Sequence, residues 1–172
     1  METTRNRLLN IMVGFTIGAL LLCAAPVAAQ SDCKPILDAS SKVFNTPAHV
    51  YVTGKTDGLT VTAEMIYTAG TVYMKINGKW NPGGTTKDME QLSQKKPKKS
   101  NGTCRYVKDE LVNGEMAAVY GLTEKGTIDS QIWISKAKGL PLREEDDIDL
   151  GPGKGKTHNS TRYEYGNIKP PI

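Results

Sequence analysis

"LTVTAEMIYTAGTVYMKI", Leu59 to Ile76, decides the fold class. Apolar residues take every second place from Leu59 through Val61, Ala63 and Met65 to Tyr67, and again at Val72, Met74 and Ile76. A period of two is the signature of a strand with one face turned inward, because successive side chains point to opposite faces. Ala69-Gly70 divides the two runs, a short turn signal. The stretch therefore predicts an antiparallel hairpin with one apolar face.

The same pattern recurs on both sides of this hairpin. His49 to Lys55 precedes it across Asp57-Gly58; Cys104 to Leu111 and Glu115 to Thr123 flank Asn113-Gly114. Thr127 to Ser135 and Leu140 to Ile148 flank Lys138-Gly139. Such dipeptides between alternating runs mark tight hairpins. Gly151 to Ser160 has no periodicity and reads as a loop, and Thr161 to Ile168 as the last strand before a Pro-Pro tail. Pro35 to Asn45 carries Ile36, Leu37, Ala39, Val43 and Phe44 at helical spacing and stops at Pro47; Lys87 to Gln94 offers a second short helix. The expected fold is mainly β with one or two helices: about eight strands in a strongly curved antiparallel sheet covered by a helix.

The first residues have a different purpose. Arg5 and Arg7 precede an apolar run from Leu8 to Leu22, and Val27-Ala28-Ala29 is a small-residue cleavage site, so Met1 to Ala29 reads as a secretory signal peptide. The apolar run is short for a spanning helix, and Pro26 follows it. Residues 30–172 are then a single domain, periplasmic or secreted. Cys23 at the end of the apolar run allows a lipid-modified N-terminus as an alternative, although Leu22 stands where lipoprotein signals carry a small residue.

Removing that segment leaves Cys33 and Cys104 in a chain addressed to an oxidising compartment, where they are expected to pair. Closing a loop of about 70 residues stabilises a fold by about 4 kcal/mol in the chain-entropy account. No close cysteine spacing and no neighbouring histidine suggests a metal or a redox pair. The chain has 22 Lys+Arg against 18 Asp+Glu, a formal net charge of +4. Lys95, Lys96, Lys98 and Lys99 surround Pro97, and Glu144 to Asp149 is nearly all acidic. No aromatic interleaves the lysines, so a nucleic-acid partner is not expected. The lysine run suits a solvated loop, with a membrane surface or a partner protein as its other uses.

On the alternating strands, Met65 and Tyr67, then Met74, then Met116 and Tyr120 fall on apolar faces. Those faces are either a filled core or the lining of a ligand cavity, for which methionine and tyrosine are adaptable materials. The candidate ligand-binding residues are accordingly Met65, Tyr67, Met74, Met116 and Tyr120. Catalysis is not expected: His49 and His158 are the only histidines, and no nucleophile motif accompanies them. Glu144 with Asp147 as an acid and base pair, and calcium at Asp146, Asp147 and Asp149, are the remaining chemical options for the acidic run; the spacing of a calcium loop is missing. No cofactor is expected.

Three stretches occur in a familiar order: Gly70-Thr-Val-Tyr-Met-Lys-Ile-Asn-Gly-Lys-Trp80, Ile132-Trp-Ile-Ser-Lys-Ala-Lys-Gly-Leu-Pro-Leu142 and Tyr163-Glu-Tyr-Gly-Asn-Ile168. Together they resemble the lipoprotein-carrier (LolA-like) superfamily, with its G-x-x-Y-x-x-x-x-G-x-W, W-I-x-x-x-x-G-L-P-L and Y-x-Y-x-N-I patterns. The resemblance implies a half-barrel, a curved antiparallel sheet around a helical lid, and a carrier or sensor of a lipid or acyl-chain ligand. It makes Gly139-Leu140-Pro141 the hairpin turn and Trp133 an anchoring aromatic. An exported protein-binding module, using the sheet edge or the lysine loop over a filled core, is the alternative.

Overall fold

The computed structural model describes residues 33–94, 102–124, 128–149, 151 and 155–172. Met1 to Ala29, read above as a signal peptide and including Cys23, and the lysine run around Pro97 lie outside the described residues. Two helices, α1 (Lys34–Phe44) and α2 (Thr86–Gln94), accompany nine strands. These are β1 (Ala48–Thr56), β2 (Leu59–Thr68), β3 (Thr71–Ile76), β4 (Lys79–Thr85), β5 (Thr103–Val112), β6 (Glu115–Glu124), β7 (Ile128–Ser135), β8 (Pro141–Asp149) and β9 (Lys156–Tyr165). All neighbouring pairs are antiparallel, and the sheet order is β4-β3-β2-β1-β9-β8-β7-β6-β5. The last strand joins two meanders into one open, curved sheet. Bulges between Val72 and Tyr73, Tyr106 and Lys108, and Trp133 and Ile134 bend it, since each extra residue increases local twist. This is the half-barrel architecture of the LolA-like resemblance.

The hairpin turns follow from local chemistry. Asp57-Gly58, Ala69-Gly70, Asn77-Gly78 and Asn113-Gly114 all have positive φ at both positions, the geometry whose twist matches paired strands. Ala69, at φ 51°, is the costly member, because an L-residue with a plain Cβ loses about 1 to 2 kcal/mol there. α1 starts with Pro35 in its first turn and ends at Asn45, whose N–H donates to the Lys42 carbonyl while the Thr46 N–H donates to that of Val43. The Thr46 hydroxyl donates to the Lys42 carbonyl at 2.8 Å and closes the end. α2 is capped by Thr85, whose Oγ1 accepts from the Asp88 N–H at 3.1 Å while donating to its carboxylate.

Two expectations need correction. Lys156 to Ser160 belongs to β9, not to a loop, and the strand ends at Tyr165 instead of Ile168. Its polar residues pair with β1 on one side and β8 on the other, from Thr157 opposite Thr56 and Ile148 onward, so neighbouring strands override a weak intrinsic preference. The ninth strand, β4, contains Pro82, Gly83 and Gly84. Proline is tolerated there because β4 lies at the edge of the sheet.

Both helices cover one side of the sheet. Ala39 of α1 packs on Ile132 and Ile134, and Val43 packs on Ala48, Val50, Tyr67 and Val72, with Met89 of α2 beside them. The Cys33–Cys104 disulfide ties the start of α1 to β5. On the opposite side, Trp133 is buried with Ala117, Val119 and Leu142, and the Arg143 guanidinium lies 4.8 Å from its ring centroid. In the hairpin that follows, Lys136 to Lys138 are exposed while Leu140 and Pro141 are buried.

Two outcomes follow from this packing. Exported protein should show no free thiol at Cys33 or Cys104 without reductant, and replacing either by serine should lower unfolding free energy by about 2 to 5 kcal/mol in denaturant titration. Trp133→Ala should cost about 3 to 5 kcal/mol, the usual effect of emptying a buried aromatic site. Lys138→Ala, which loses only the half-exposed pair with Glu115, should cost less than about 1 kcal/mol.

Candidate functional site

Register places side chains in rows across the sheet on the helix side. One row runs Val52, Thr161, Glu144, Ile132 and Tyr120; the next runs Val61, Gly54, Asn159, Asp146 and Ser130. Because alternate residues share a face, Met65, Met74, Tyr67, Met116 and Tyr163 lie on this side too. α1 crosses the side diagonally, from Cys104 on β5 over Ile132 to Tyr67 on β2. Beyond its cover the sheet remains apolar yet open. Leu59 is 73% exposed, Val61 68%, Ile76 53% and Met74 37%.

The five sequence candidates separate into two groups. Met65 and Met74 face each other across the β2–β3 ladder. Tyr67 is buried beside them, its ring edge-on to Phe44 at 5.8 Å and its hydroxyl 3.8 Å from Met65 Sδ. Met116 and Tyr120 lie on β6, with β1, β9, β8 and β7 between them and β2. Met116 is 47% exposed opposite the exposed Leu111, and Tyr120 meets Tyr106 edge-on at 5.9 Å. A cleft of about 300 Å³ opens at the end of α1, lined by Phe44, Pro47, Tyr67, Thr68, Gly70 and Thr86. Of the five candidates, Tyr67 alone lines it.

Polar residues that periodicity did not single out complete the helix side. Strand alternation divides the acidic run: Glu144 and Asp146 turn toward the helices, whereas Glu145, Asp147 and Asp149 point outward. Glu144 and Asp147 therefore stand on opposite faces and cannot act on one substrate, and Asp146 cannot share a cation with Asp147. Tyr163 donates to Glu144 Oε2 at 3.1 Å. Burial, then the nearby Glu144 charge, pushes the Tyr163 hydroxyl well above its usual range. Tyr165, also raised by burial, donates to the Pro141 carbonyl at 2.6 Å. At Gly54 a Cβ would come within 2.9 Å of Asn159 Oδ1, so glycine there makes room for the Asn159 side chain.

Both histidines lie on the outer face among ion pairs. His49 Nε2 is 3.2 Å from Glu64, which also holds Lys75 at 2.8 Å. The Lys75 ammonium, before the His49 contribution, draws the Glu64 carboxyl below its ordinary range. His158 places Nδ1 2.8 Å from Asp147 and Nε2 2.9 Å from Glu145, an arrangement that satisfies both ring nitrogens as donors. The Asp147 hydrogen bond is the largest cause raising the His158 pKa, with Glu145 adding to it. Among the described residues no group of three or more His, Cys, Asp or Glu is placed to hold a metal ion.

No protein-family model matches the chain, and no curated protein matches it. Solved structures similar to it include MucB in complex with MucA(peri), at 14% identity over 80% of this chain and 56% of that one, with a TM-score of 0.49. The Pseudomonas aeruginosa MucA/MucB complex is similar at 15% identity over 78% and 57%, TM-score 0.47. LprF from Mycobacterium bovis is similar at 12% identity over 83% and 96%, TM-score 0.45. The chain spans little more than half the length of the MucB structures.

The His158 arrangement sets a pH dependence. A histidine pKa raised in the fold contributes stability that is fully present below the unfolded value of about 6.5 and is lost as pH rises through the folded value. The imidazole NMR titration should have its midpoint above that of a free histidine, and Asp147→Asn should bring it down. A midpoint at or below the free value would contradict the ion-paired arrangement.

Proposed function

We propose that this is an exported, non-catalytic binding protein, periplasmic or secreted after loss of Met1 to Ala29, that holds an apolar or acyl-chain ligand on the helix side of its half-barrel. The observation that supports it is the uncovered apolar surface of β2 and β3. A face bearing Leu59, Val61, Met74 and Ile76 in water is unfavourable, at about 25 cal/mol for each Å² of apolar area left exposed, and contiguous patches of this kind mark binding surfaces. Met65 and Tyr67 form its floor toward α1. Met116 and Tyr120 belong to a second apolar wing on β6.

The edge strand β5, which bears exposed Tyr106 and Leu111 beside exposed Met116 of β6, favours a second reading, a protein-binding module that adds a partner strand or contacts this wing. The readings separate experimentally. Native mass spectrometry and solvent extraction of the exported protein should recover a co-purified lipid, and the neutral probe N-phenyl-1-naphthylamine should bind saturably. Val61→Glu, at an exposed site, should weaken the probe by at least about ten-fold with little change in thermal midpoint, because a charge on the apolar floor opposes an apolar ligand. Absence of co-purified lipid together with a linear probe titration would remove the acyl-chain reading and leave the protein-binding one.

A further inference from the structure

The cleft of about 300 Å³ at the end of α1 differs from the open apolar face in place and in chemistry. It lies where β2 ends, at Tyr67 and Thr68, whereas Leu59 and Val61 stand at the start of that strand. From Tyr67 to Val61 the strand covers about 20 Å. α1 covers the sheet at Val50 and Tyr67 through Val43. The cleft and the apolar face are thus two separate places on one sheet.

None of the nine residues lining the cleft carries a charge. Phe44, Pro47 and Tyr67 supply apolar surface, and Asn45, Thr46, Thr68 and Thr86 supply polar atoms. Most of the donors are already engaged. The Asn45 amide donates to the Ser41 carbonyl at 3.3 Å, the Thr46 hydroxyl to that of Lys42 at 2.8 Å, and the Thr68 hydroxyl to that of Ile168 at 3.0 Å. At the start of α2 the Thr86 N–H donates to the Gly70 carbonyl at 3.0 Å, and the Asp88 N–H to Thr85 Oγ1 at 3.1 Å. A ligand is left with oxygen acceptors, Asn45 Oδ1 and the hydroxyl oxygens of Thr46 and Thr68. The Thr86 hydroxyl adds to them, having no partner among the described residues.

The rim has the same character. Four hairpin turns place a non-glycine residue at positive φ: Asp57, Ala69, Asn77 and Asn113. Three of these are Asp or Asn, whose short polar side chains tolerate that conformation. Ala69, at φ 51°, has no such compensation, and it is the one that lines the cleft. Strained residues of this kind concentrate at binding sites. Alanine keeps the rim small and without charge, where the Asp or Asn of the other turns would project a carboxylate or an amide.

From this lining we infer that the cleft binds an uncharged polyhydroxyl ring, the size of one sugar residue. Its volume is at the lower end of the roughly 300 to 1,000 Å³ of small-molecule sites, enough for one ring and too little for a lipid. The sugar hydroxyls donate to the Asn and Thr oxygens. Its weakly positive C–H face rests on the surface of Phe44, Tyr67 and Pro47. An anion would meet acceptor oxygens and no cation, and an ammonium would find no carboxylate among the lining residues. The inference does not rest on the acyl-chain reading.

Two-dimensional amide NMR of the exported, disulfide-bonded protein, titrated with methyl glucoside, methyl galactoside and methyl mannoside, tests the site. At least one sugar should shift the Thr46, Thr68, Gly70 and Thr86 amides saturably, with a millimolar Kd. Glucuronate and glucosamine in its ammonium form should bind at least about five-fold more weakly. Thr86→Val should weaken the neutral sugar by at least about three-fold at an unchanged thermal midpoint, because the hydroxyl removed has no partner in the fold. Ala69→Asp reproduces the Asp57-Gly58 turn, so its thermal midpoint should be no lower than the parent's, while its preference should turn toward glucosamine. The sugar should leave bound N-phenyl-1-naphthylamine in place. Absence of saturable shifts at those amides with all three sugars, or equal binding of glucuronate, would overturn the sugar site while the acyl-chain reading stands. Displacement of the naphthylamine by the sugar would overturn the separation of the two sites.

Discussion

The pairing of β9 between β1 and β8 is the constraint on which the rest of the molecule depends. β1 to β4 and β5 to β8 are each a local meander, and among the described residues no strand of one pairs with a strand of the other. β9 hydrogen-bonds along Ala48–Thr56 on one edge and Arg143–Asp149 on the other, bringing residues over a hundred positions apart into register. Contacts of such sequence separation cost loop-closure entropy before they return any enthalpy, so they are expected to form late in folding. Once formed, they align Val52, Thr161, Glu144 and Ile132 in one row and create a continuous side for the helices to cover.

The helices cover that side incompletely. α1 is held at its start by the Cys33–Cys104 disulfide and at its end by Val43 and Phe44, a diagonal that seals Ile132, Ile134 and Tyr67 and leaves the far ends of β2 and β3 open. A short helix with buried Ala39 and Val43 cannot span nine strands. The remaining apolar surface is a consequence of that mismatch in size.

Charge is sorted by the same geometry. On the outer face, acids and bases alternate across neighbouring strands: Glu64 with Lys75 and His49, and His158 with Glu145 and Asp147. The Arg162 guanidinium lies 4.1 Å from the Tyr51 ring centroid. Such half-exposed pairs add modest stability individually, and their main effect is to keep a broad polar face matched in register. On the inner face Glu144 accepts a hydrogen bond from the Tyr163 hydroxyl, and Asp146 shares that face with it.

Much of the fold was legible from residues 59–76 and their repeats, because alternation and Gly-containing turns act within a few residues. The hairpins at Asp57-Gly58, Ala69-Gly70 and Asn113-Gly114, the bounds of β2 and β3 and the position of α1 all came from such local signals. β4 and residues 156–160 were not legible: Pro82, Gly83, Gly84, Asn159 and Ser160 weigh against strand, and only an edge position in one case and two neighbouring strands in the other make them so. Among the candidate site residues, the sequence placed Met65, Met74, Met116, Tyr67 and Tyr120 on apolar faces. It could not tell that Met65 meets Met74 while Met116 is separated from β2 by four strands, because strand order is a long-range property. Nor could it separate Glu144 and Asp146 from Glu145 and Asp147, which share one acidic run but not one face. By itself the sequence determined which side of each strand is apolar; the tertiary structure decided which of those sides adjoin and how far α1 reaches across them, since side-chain periodicity is local and sheet order is not.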